Sequence, residues 1–403
     1  MVQTSYTTDE DGEFWARFER DLHGSHTVRM ELTVVPPPGR GYVLGKTTIE
    51  DLILVYQPPP VTDPTSFHVV LPPNTVDSRQ PVRVLLGYHR RTDLRGDAER
   101  FYLSEPGGGT SAIDPATGDW LWQTGGFTPE GGMGPQYALL GDRVVIAGPP
   151  IPSPSHAGLI LVKASDGELV WIRDAVPHQT IAVSPPDGLY ASEFGVVMAF
   201  DPETGGTRWT RELIGTGHAA LAASAELVCS EILAYLECWE PATGDWVWAR
   251  PTEFGSWLVI AGDVVILGSQ TGWTAMDART GDTVWEASIG AGPPPIVSPD
   301  KERAFDCAGS ACLAIRTDDG GLVWRTTFTG AVSAPAVDGG SLYVRVGEGS
   351  GSSIHVLDAA SGAIQERILP DPFDSGFCGD PAVTSNYLAI FGCGSFYTFE
   401  RSG

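Results

Sequence analysis

Short apolar runs alternate with turn residues along most of the chain. The run Trp257–Ile260 is followed by the pair Gly262–Asp263 and then by a second run, Val264–Leu267. Apolar, β-branched runs of this length that are separated by a Gly-Asp pair are typical of two strands joined by a tight turn. The spacing between such runs does not show the helical period. The sequence therefore predicts an all-β fold.

A longer pattern, A-x-D-x-x-T-G-x-x-x-W, follows these paired runs. It is complete at Ala112–Trp122, Ala199–Trp209 and Ala275–Trp285. Weaker copies occur at Leu161–Trp171, Cys238–Trp248, Ala314–Trp324 and Val356–Glu366, the last of which has lost the tryptophan. Successive copies end 37 to 49 residues apart. A repeat of this length over seven copies indicates a propeller or a solenoid.

Each copy predicts one four-stranded propeller blade. Two strands precede the motif, a third ends at its aspartate, and a fourth follows the D-x-x-T-G turn and carries the tryptophan. The aspartate accepts hydrogen bonds from N–H groups of the turn, and the glycine adopts positive φ. A tryptophan on the outermost strand is expected to lie flat against the next blade. This docking role is assigned to Trp122, Trp171, Trp209, Trp248, Trp285 and Trp324.

The motif resembles the tryptophan-docking motif of quinoprotein alcohol dehydrogenases and their relatives, the pyrroloquinoline-quinone-like propellers. These relatives include the non-enzymatic propeller lipoprotein of the bacterial outer-membrane β-barrel assembly machine. The resemblance covers residues 100 to 400. It implies a β-propeller, and the assembly-lipoprotein relatives imply a count of eight blades.

Closing the ring requires a strand from the N-terminal part of the chain, because only three strands are predicted after Glu366 and an open propeller would leave an unpaired edge. We expect this strand from residues 1–24, where Asp11–Phe18 resembles a turn and an outer strand. Residues 25–80 are predicted to be a β-rich, proline-containing insertion or a divergent blade, and residues 81–403 to be the propeller repeats. Seven blades with a separate N-terminal β domain, or nine blades, are the alternatives.

Six cysteines form three pairs of near neighbours: Cys229 with Cys238, Cys307 with Cys312, and Cys378 with Cys393. The first pair lies 19 and 10 residues before Trp248, and the second lies 17 and 12 residues before Trp324. Because the two spacings add to the same total, each pair is expected to face directly across the second and third strands of its blade, within reach of a disulfide. The third pair is likewise opposed around a turn at Ser385–Asn386.

Three disulfides indicate an oxidising compartment, either the periplasm or the cell surface. The first residues lack the basic start and apolar segment of a secretory signal, and no run of about 18 apolar residues occurs. We therefore expect an exported protein with no transmembrane segment, whose leader, which could carry a lipid anchor, lies upstream of the chain.

The charge of the chain narrows the class of partner. Lys and Arg total 25 against 50 Asp and Glu, which gives a formal net charge of −25. An acidic surface repels phosphate backbones, and the sequence contains no basic cluster that would reverse this locally. Nucleic acid is therefore excluded, and a protein is the expected partner.

The face that carries the blade-to-blade connections is the predicted binding face. The length of the repeat varies there, whereas the turns at the opposite face are the uniform D-x-x-T-G turns. Varied loops on a rigid scaffold are where binding residues concentrate. The candidate contact residues on this face are Phe127, Tyr137, His178, His218, Trp257 and Trp273.

The sequence does not support an enzyme. The quinoprotein dehydrogenases carry two adjacent cysteines and a calcium ligand set, and neither can be placed on this chain. No metal, phosphate-loop or nucleophile motif is present, so no catalytic, cofactor-binding or metal-binding residue is assigned and no cofactor is expected. We expect an exported, non-catalytic scaffold that binds protein through its loop face. A ligand-sensing or adhesive ectodomain of a surface assembly is an alternative, and a quinoprotein dehydrogenase is another.

Overall fold

The structure is a computed structural model. It describes the backbone of residues 30–34, 45–49 and 83–86, and residues 93–401 apart from 106–108, 125–135, 149–156, 176–179, 194, 216–219, 234, 254, 270–271, 290–293, 349–350, 371–375 and 393–394. The chain divides into two compact units, Met1–His68 and Val69–Gly403. In the first unit, β1 (Met30–Val34) and β2 (Gly45–Ile49) form an antiparallel hairpin.

The second unit is an eight-bladed propeller in which every blade is a four-stranded antiparallel sheet. Its first strand in the chain is β3 (Arg83–Leu86). Blade 1 consists of β4 (Asp93–Gly96), β5 (Phe101–Glu105), β6 (Gly109–Ile113) and β7 (Trp120–Gln123); blade 2 of β8 (Gln136–Leu140), β9 (Arg143–Gly148), β10 (Ala157–Lys163) and β11 (Leu169–Ala175); blade 3 of β12 (Thr180–Ser184), β13 (Gly188–Glu193), β14 (Val196–Phe200) and β15 (Thr207–Glu212); and blade 4 of β16 (Ala220–Ala223), β17 (Val228–Ile232), β18 (Tyr235–Trp239) and β19 (Trp246–Pro251).

The remaining blades continue the same order from the inner to the outer strand. Blade 5 consists of β20 (Gly255–Ala261), β21 (Val264–Ser269), β22 (Trp273–Asp277) and β23 (Thr283–Ala287); blade 6 of β24 (Ile296–Val297), β25 (Arg303–Ala308), β26 (Ala311–Arg316) and β27 (Leu322–Thr327); blade 7 of β28 (Ala336–Asp338), β29 (Ser341–Glu348), β30 (Gly351–Asp358) and β31 (Ile364–Ile368); and blade 8 of β32 (Ala382–Val383), β33 (Tyr387–Phe391), β34 (Ser395–Glu400) and β3. The predicted all-β propeller of eight blades is confirmed.

The ring is closed by β3, not by the segment the sequence had suggested. Strand β3 pairs antiparallel with β34 and is the outer strand of blade 8. The inner strand of that blade, β32, neighbours β4 of blade 1. The sequence predicted that the closing strand comes from residues 1–24, specifically from Asp11–Phe18, which lie outside the described residues. The closing strand is thus corrected to β3, and the boundary at residue 24 stays a prediction.

Each repeat tryptophan docks onto the next blade. The indole Nε1 donates a hydrogen bond of 2.8 to 3.0 Å to a backbone carbonyl in the following D-x-x-T-G turn. The donor and acceptor pairs are Trp122 with Ala164, Trp171 with Pro202, Trp209 with Pro241, Trp248 with Ala278, Trp285 with Thr317, and Trp324 with Ala359. The six tryptophans are buried, so these rings fill the space between neighbouring sheets.

The turn that receives each ring is shaped by its aspartate and its glycine. In blade 3, the Oδ1 atom of Asp201 accepts from the backbone N–H groups of Glu203 and Thr204. Gly205 has φ of 69°, and a Cβ on it would lie 2.8 Å from the ring of Trp171. The glycine therefore provides both the left-handed conformation and the room for the indole. The hydrogen bonds from these N–H groups lower the pKa of Asp201.

The junction between blades 7 and 8 uses an arginine where the repeat has lost its tryptophan. Arg401 donates from Nε to the hydroxyl of Tyr343 at 3.0 Å and lies over that ring, and it also pairs with Asp338. Its Nη1 donates to the carbonyls of Thr384 and Ser385. One side chain after the last strand thus links two blades.

Two disulfides join directly opposed residues of the second and third strands, as the spacing predicted. Cys229 is bonded to Cys238 across β17 and β18, and Cys307 is bonded to Cys312 across β25 and β26. Cys378 is also disulfide-bonded, and Cys393 lies outside the described residues. A membrane-spanning apolar helix is absent from the part of the chain that the structure describes.

Candidate functional site

Three of the six predicted contact residues are buried. Tyr137 donates its hydroxyl to the carbonyl of Tyr102 at 2.9 Å. Trp257 and Trp273 pack edge to face, with ring centroids 5.0 Å apart, in the interface between blades 5 and 6. Because all three side chains are at most 4 % exposed, their rings are not available to a partner. This corrects their assignment to the contact face. Phe127, His178 and His218 lie outside the described residues.

The loop face is defined here as the face that carries the blade-to-blade connections and the turns between second and third strands. On blade 4 that turn joins β17 to β18 and includes Leu233, because Ile232 pairs with Tyr235. The disulfide between Cys229 and Cys238 crosses the same hairpin. The disulfide therefore links the fourth pair of residues from the turn.

Leu233 has the left-handed backbone conformation, with φ of 50°. Four other two-residue hairpin turns have a glycine as their first residue, with φ between 53° and 61°. Gly309 lies in the matching turn of blade 6, whereas Gly141, Gly262 and Gly339 lie in turns between first and second strands. Left-handed backbone costs a non-glycine residue roughly 1–2 kcal/mol. Residues with such strained backbone cluster at functional sites, which makes Leu233 a candidate functional residue.

The side chain of Leu233 belongs to an apolar surface of three residues, which we call the blade 4 tip: Ile214, Leu233 and Tyr235. They are 62 %, 56 % and 40 % exposed. Ile214 lies on the connection from β15 to β16, and the next residue, Gly215, lies under Leu233, since a Cβ on it would be 2.5 Å from Leu233 Cδ1. The tip is thus built from two neighbouring blades.

Two buried carboxyl groups lie immediately below the tip. Glu231 accepts from the backbone N–H of Gly255 at 3.2 Å, on the side of blade 5. Glu237 is two residues from Tyr235 on β18, so both side chains lie on the same face of the strand, and it accepts from the backbone N–H of Ile214. Burial raises the pKa of Glu237, and the hydrogen bond from Ile214 opposes this only partly.

One oxygen of Glu237 has no hydrogen-bond partner among the described residues. The atom is Oε2, and the hydroxyl of Ser230, directly opposite on β17, also has none there. Glu237 is 6 % exposed. A buried carboxylate oxygen without a donor is unfavourable, so this pair is a place where a donor from outside would be stabilised.

The arginines of the two nearest outer strands reach away from the loop face. Arg211 on β15 donates to the carbonyls of Gly244 and Thr243, and Arg250 on β19 donates to the carbonyl of Thr280. All three acceptors lie in D-x-x-T-G turns, at the opposite face. Arg211 and Arg250, whose strands border the blade 4 tip, therefore bind acceptors at the other end of the blades.

The described residues contain no group of three or more His, Cys, Asp or Glu side chains that could hold a metal ion. The buried imidazole of His355 contacts the Ser353 hydroxyl at 3.1 Å and the ring of Phe328, and burial lowers its pKa. These neighbours account for His355 as an interior residue.

Sequence reasoning missed the blade 4 tip. A signal was present: Leu233 and Ala234 follow a cysteine-bearing strand at the place where blade 6 has Gly309 and Ser310. An apolar residue in a turn position that glycine normally fills is visible only after the copies are aligned by their tryptophans.

Comparison with known proteins agrees with this architecture. The family model described as outer membrane protein assembly factor BamB matches residues 193–311 and 273–371. The chain is 24 % identical over 329 residues to the outer membrane protein assembly factor BamB of Yersinia pestis, covering 74 % of this chain and 82 % of that protein. The repeat is a PQQ-like propeller repeat related to that of BamB.

Solved structures share the fold. The crystal structure of BamB from Moraxella catarrhalis matches 79 % of this chain and 98 % of its own, with a TM-score of 0.52 and 16 % identity. The computationally designed Ika8 protein matches 80 % of this chain and all of its own, with a TM-score of 0.62 and 14 % identity. At these identities the likeness concerns the propeller fold alone.

Proposed function

We propose that this protein is a non-catalytic, extracytoplasmic scaffold that binds a partner protein through its loop face, with the blade 4 tip as a contact. The likeness to BamB, which is named an assembly factor, supports a role in protein assembly. The disulfides support an oxidising compartment.

The observation that carries the proposal is the conformation of Leu233. An exposed leucine at φ of 50° on a hairpin held by a disulfide is an apolar group whose backbone is already fixed before binding. Pre-ordering lowers the entropy lost on association. Exposed apolar groups that are gathered at one place, unlike scattered ones, mark interaction sites.

Capture from a native envelope extract tests the proposal. The variants are Leu233→Gly, which places glycine where four other turns have it, and Leu322→Thr as a matched control. Leu322 on β27 is 59 % exposed, and threonine holds the same place at Thr207 and Thr283.

We expect one protein to be retained by the wild type and by Leu322→Thr, and its retention to fall about ten-fold with Leu233→Gly, the equivalent of about 1.4 kcal/mol. Equal retention by all three proteins would remove the blade 4 tip from the proposed function.

A further inference from the structure

We propose that the blade 4 tip receives a lysine or arginine side chain of the partner protein, whose aliphatic stem covers the apolar tip and whose charged head binds Glu237. The inference rests on the proposed function and specifies the chemistry of the partner. Three observations support it: an unpartnered buried carboxylate oxygen, an apolar surface directly above it, and a local excess of negative charge.

One carboxylate oxygen of Glu237 has hydrogen-bonding capacity that no described residue uses. In the described chain its donor is the backbone N–H of Ile214, while Oε2 and the opposing Ser230 hydroxyl are without partners. A buried carboxylate gains most from a donor that is itself charged, because charge-assisted hydrogen bonds are about twice as strong as neutral ones. An ammonium or guanidinium group supplies that donor.

The apolar tip fits the rest of such a side chain. Lysine and arginine place their methylene stems along apolar surface while the charged end continues to a polar partner. The residue whose N–H binds Glu237 is Ile214, a member of the tip, and Tyr235 shares a strand face with Glu237. A stem that lies on the tip therefore brings its head toward the carboxylate.

The charge around the site favours a cation. The whole chain has a formal net charge of −25. Glu212, two residues before Ile214, is exposed, as is Glu253, two residues after the Pro251 that pairs with Tyr235. Arg211 and Arg250 are bound to turn carbonyls at the opposite face. An anionic partner, such as a phosphate-rich membrane surface, would be repelled.

Blade 6 provides a matched site that lacks the apolar tip. Asp306 lies 18 residues before Trp324, as Ser230 lies 18 before Trp248, so the pair Asp306–Leu313 takes the place of Ser230–Glu237. Asp306 is 3 % exposed, and its Oδ1 has no partner among the described residues. The turn above it is Gly309–Ser310. The proposal predicts that this second buried carboxyl does not bind the partner's cation.

The experiment measures binding of the full chain to immobilised peptides of about ten residues. The first peptide alternates leucine and arginine, the second replaces arginine with the neutral isostere citrulline, and the third alternates serine and arginine. The proteins are wild type, Glu237→Gln, Asp306→Asn and Leu233→Gly. Circular dichroism and melting temperature are recorded for each, so that a folding defect is recognised.

We expect the wild type to bind the leucine–arginine peptide about ten-fold more tightly than the other two peptides. Glu237→Gln should bind the leucine–arginine peptide no more tightly than the citrulline peptide. Leu233→Gly should bind the leucine–arginine peptide no more tightly than the serine–arginine peptide. Asp306→Asn should behave as the wild type does. The proposal is overturned if Glu237→Gln binds the arginine peptide as the wild type does, if Asp306→Asn weakens binding equally, or if the wild type binds none of the peptides.

The two proposals fail in different ways. If Leu233→Gly loses the captured envelope protein while Glu237→Gln retains it, the scaffold function stands and the cation is wrong. If both variants retain the protein, the blade 4 tip is not the contact, and both proposals fall. If both lose it and Asp306→Asn retains it, the cation inference is supported on the native partner as well.

Discussion

The hairpins between the second and third strands of blades 4 and 6 are constructed alike and end differently. Both carry a cross-strand disulfide, both place a buried carboxyl on the side of the preceding blade, and both close with a two-residue turn. Blade 6 closes with Gly309, at φ of 59°, whereas blade 4 closes with Leu233, at φ of 50°. The disulfide and the buried carboxyl are common to both blades, and the residue that differs, Leu233 in place of Gly309, lies in the turn.

Removal of the docking tryptophans should give the largest effect and should not distinguish the two blades. Trp248 and Trp324 donate to carbonyls of the next blade at 2.9 and 3.0 Å. Trp248→Ala and Trp324→Ala should each lower the free energy of unfolding by about 3–5 kcal/mol, since each removes a large buried ring and leaves a cavity. Denaturant unfolding measures this.

Trp246→Ala is the control, because that ring is 64 % exposed and its loss should change stability by less than about 0.5 kcal/mol. A gap of more than about 2 kcal/mol between the two docking variants would show that blades 4 and 6 are not equivalent scaffolds.

The repeated parts of the propeller were predictable because each is a local signal that recurs. The docking tryptophans, the turn aspartates and the register of two cysteine pairs all follow from spacing within one copy. The closing strand was not predictable in this way. Strand β3 reads Arg-Val-Leu-Leu, without a turn or a tryptophan, and it joins its blade through pairing with a strand more than 300 residues away in sequence.

The contact residues were misplaced for a different reason. Trp257 and Trp273 lie near strand ends at the loop face, where aromatic residues can be exposed. Their burial depends on a neighbour: a Cβ on Gly268 would lie 2.0 Å from the Trp257 ring, so the ring lies over the glycine. Strand alternation directs Trp273 into the interface with blade 6. Whether a strand-end aromatic is buried depends on such pairs, which spacing alone does not show.

Substitution of the buried carboxyls of Asp306 and Glu237 should give the next largest change in stability, and the change should depend on pH. Burial raises the pKa of Asp306 to about 6 and raises that of Glu237. A carboxyl whose pKa is higher in the folded protein stabilises the fold in its protonated form, below the unfolded pKa near 4, and this contribution is lost as pH rises toward 6. Asp306→Asn should therefore raise the free energy of unfolding at pH 7 by about 2 kcal/mol.

Urea unfolding of the wild type and the variant between pH 4 and pH 8 measures this difference. The gain should fall to near zero at pH 4. Glu237→Gln should shift stability in the same direction by less, because the N–H of Ile214 already stabilises the Glu237 carboxylate. A loss of stability at pH 7 in Asp306→Asn would mean that the charged form of Asp306 has a partner that holds it.

Exchange of the turn residues Leu233 and Gly309 should give the smallest change in stability, and it tests directly how the turns of blades 4 and 6 differ. Leu233→Gly relieves a left-handed backbone that costs leucine roughly 1–2 kcal/mol, against roughly 0.5–1 kcal/mol of added unfolded-state entropy for glycine. We expect stability to rise by about 0.5 kcal/mol. Gly309→Leu should lower it by roughly 1 kcal/mol through the backbone alone, because no atom lies within 4 Å of a Cβ built there. Thermal unfolding of both variants measures these opposite signs. If Leu233→Gly instead loses more than about 1 kcal/mol, the packing of Leu233 on Gly215 stabilises the fold, and the leucine is explained without a partner.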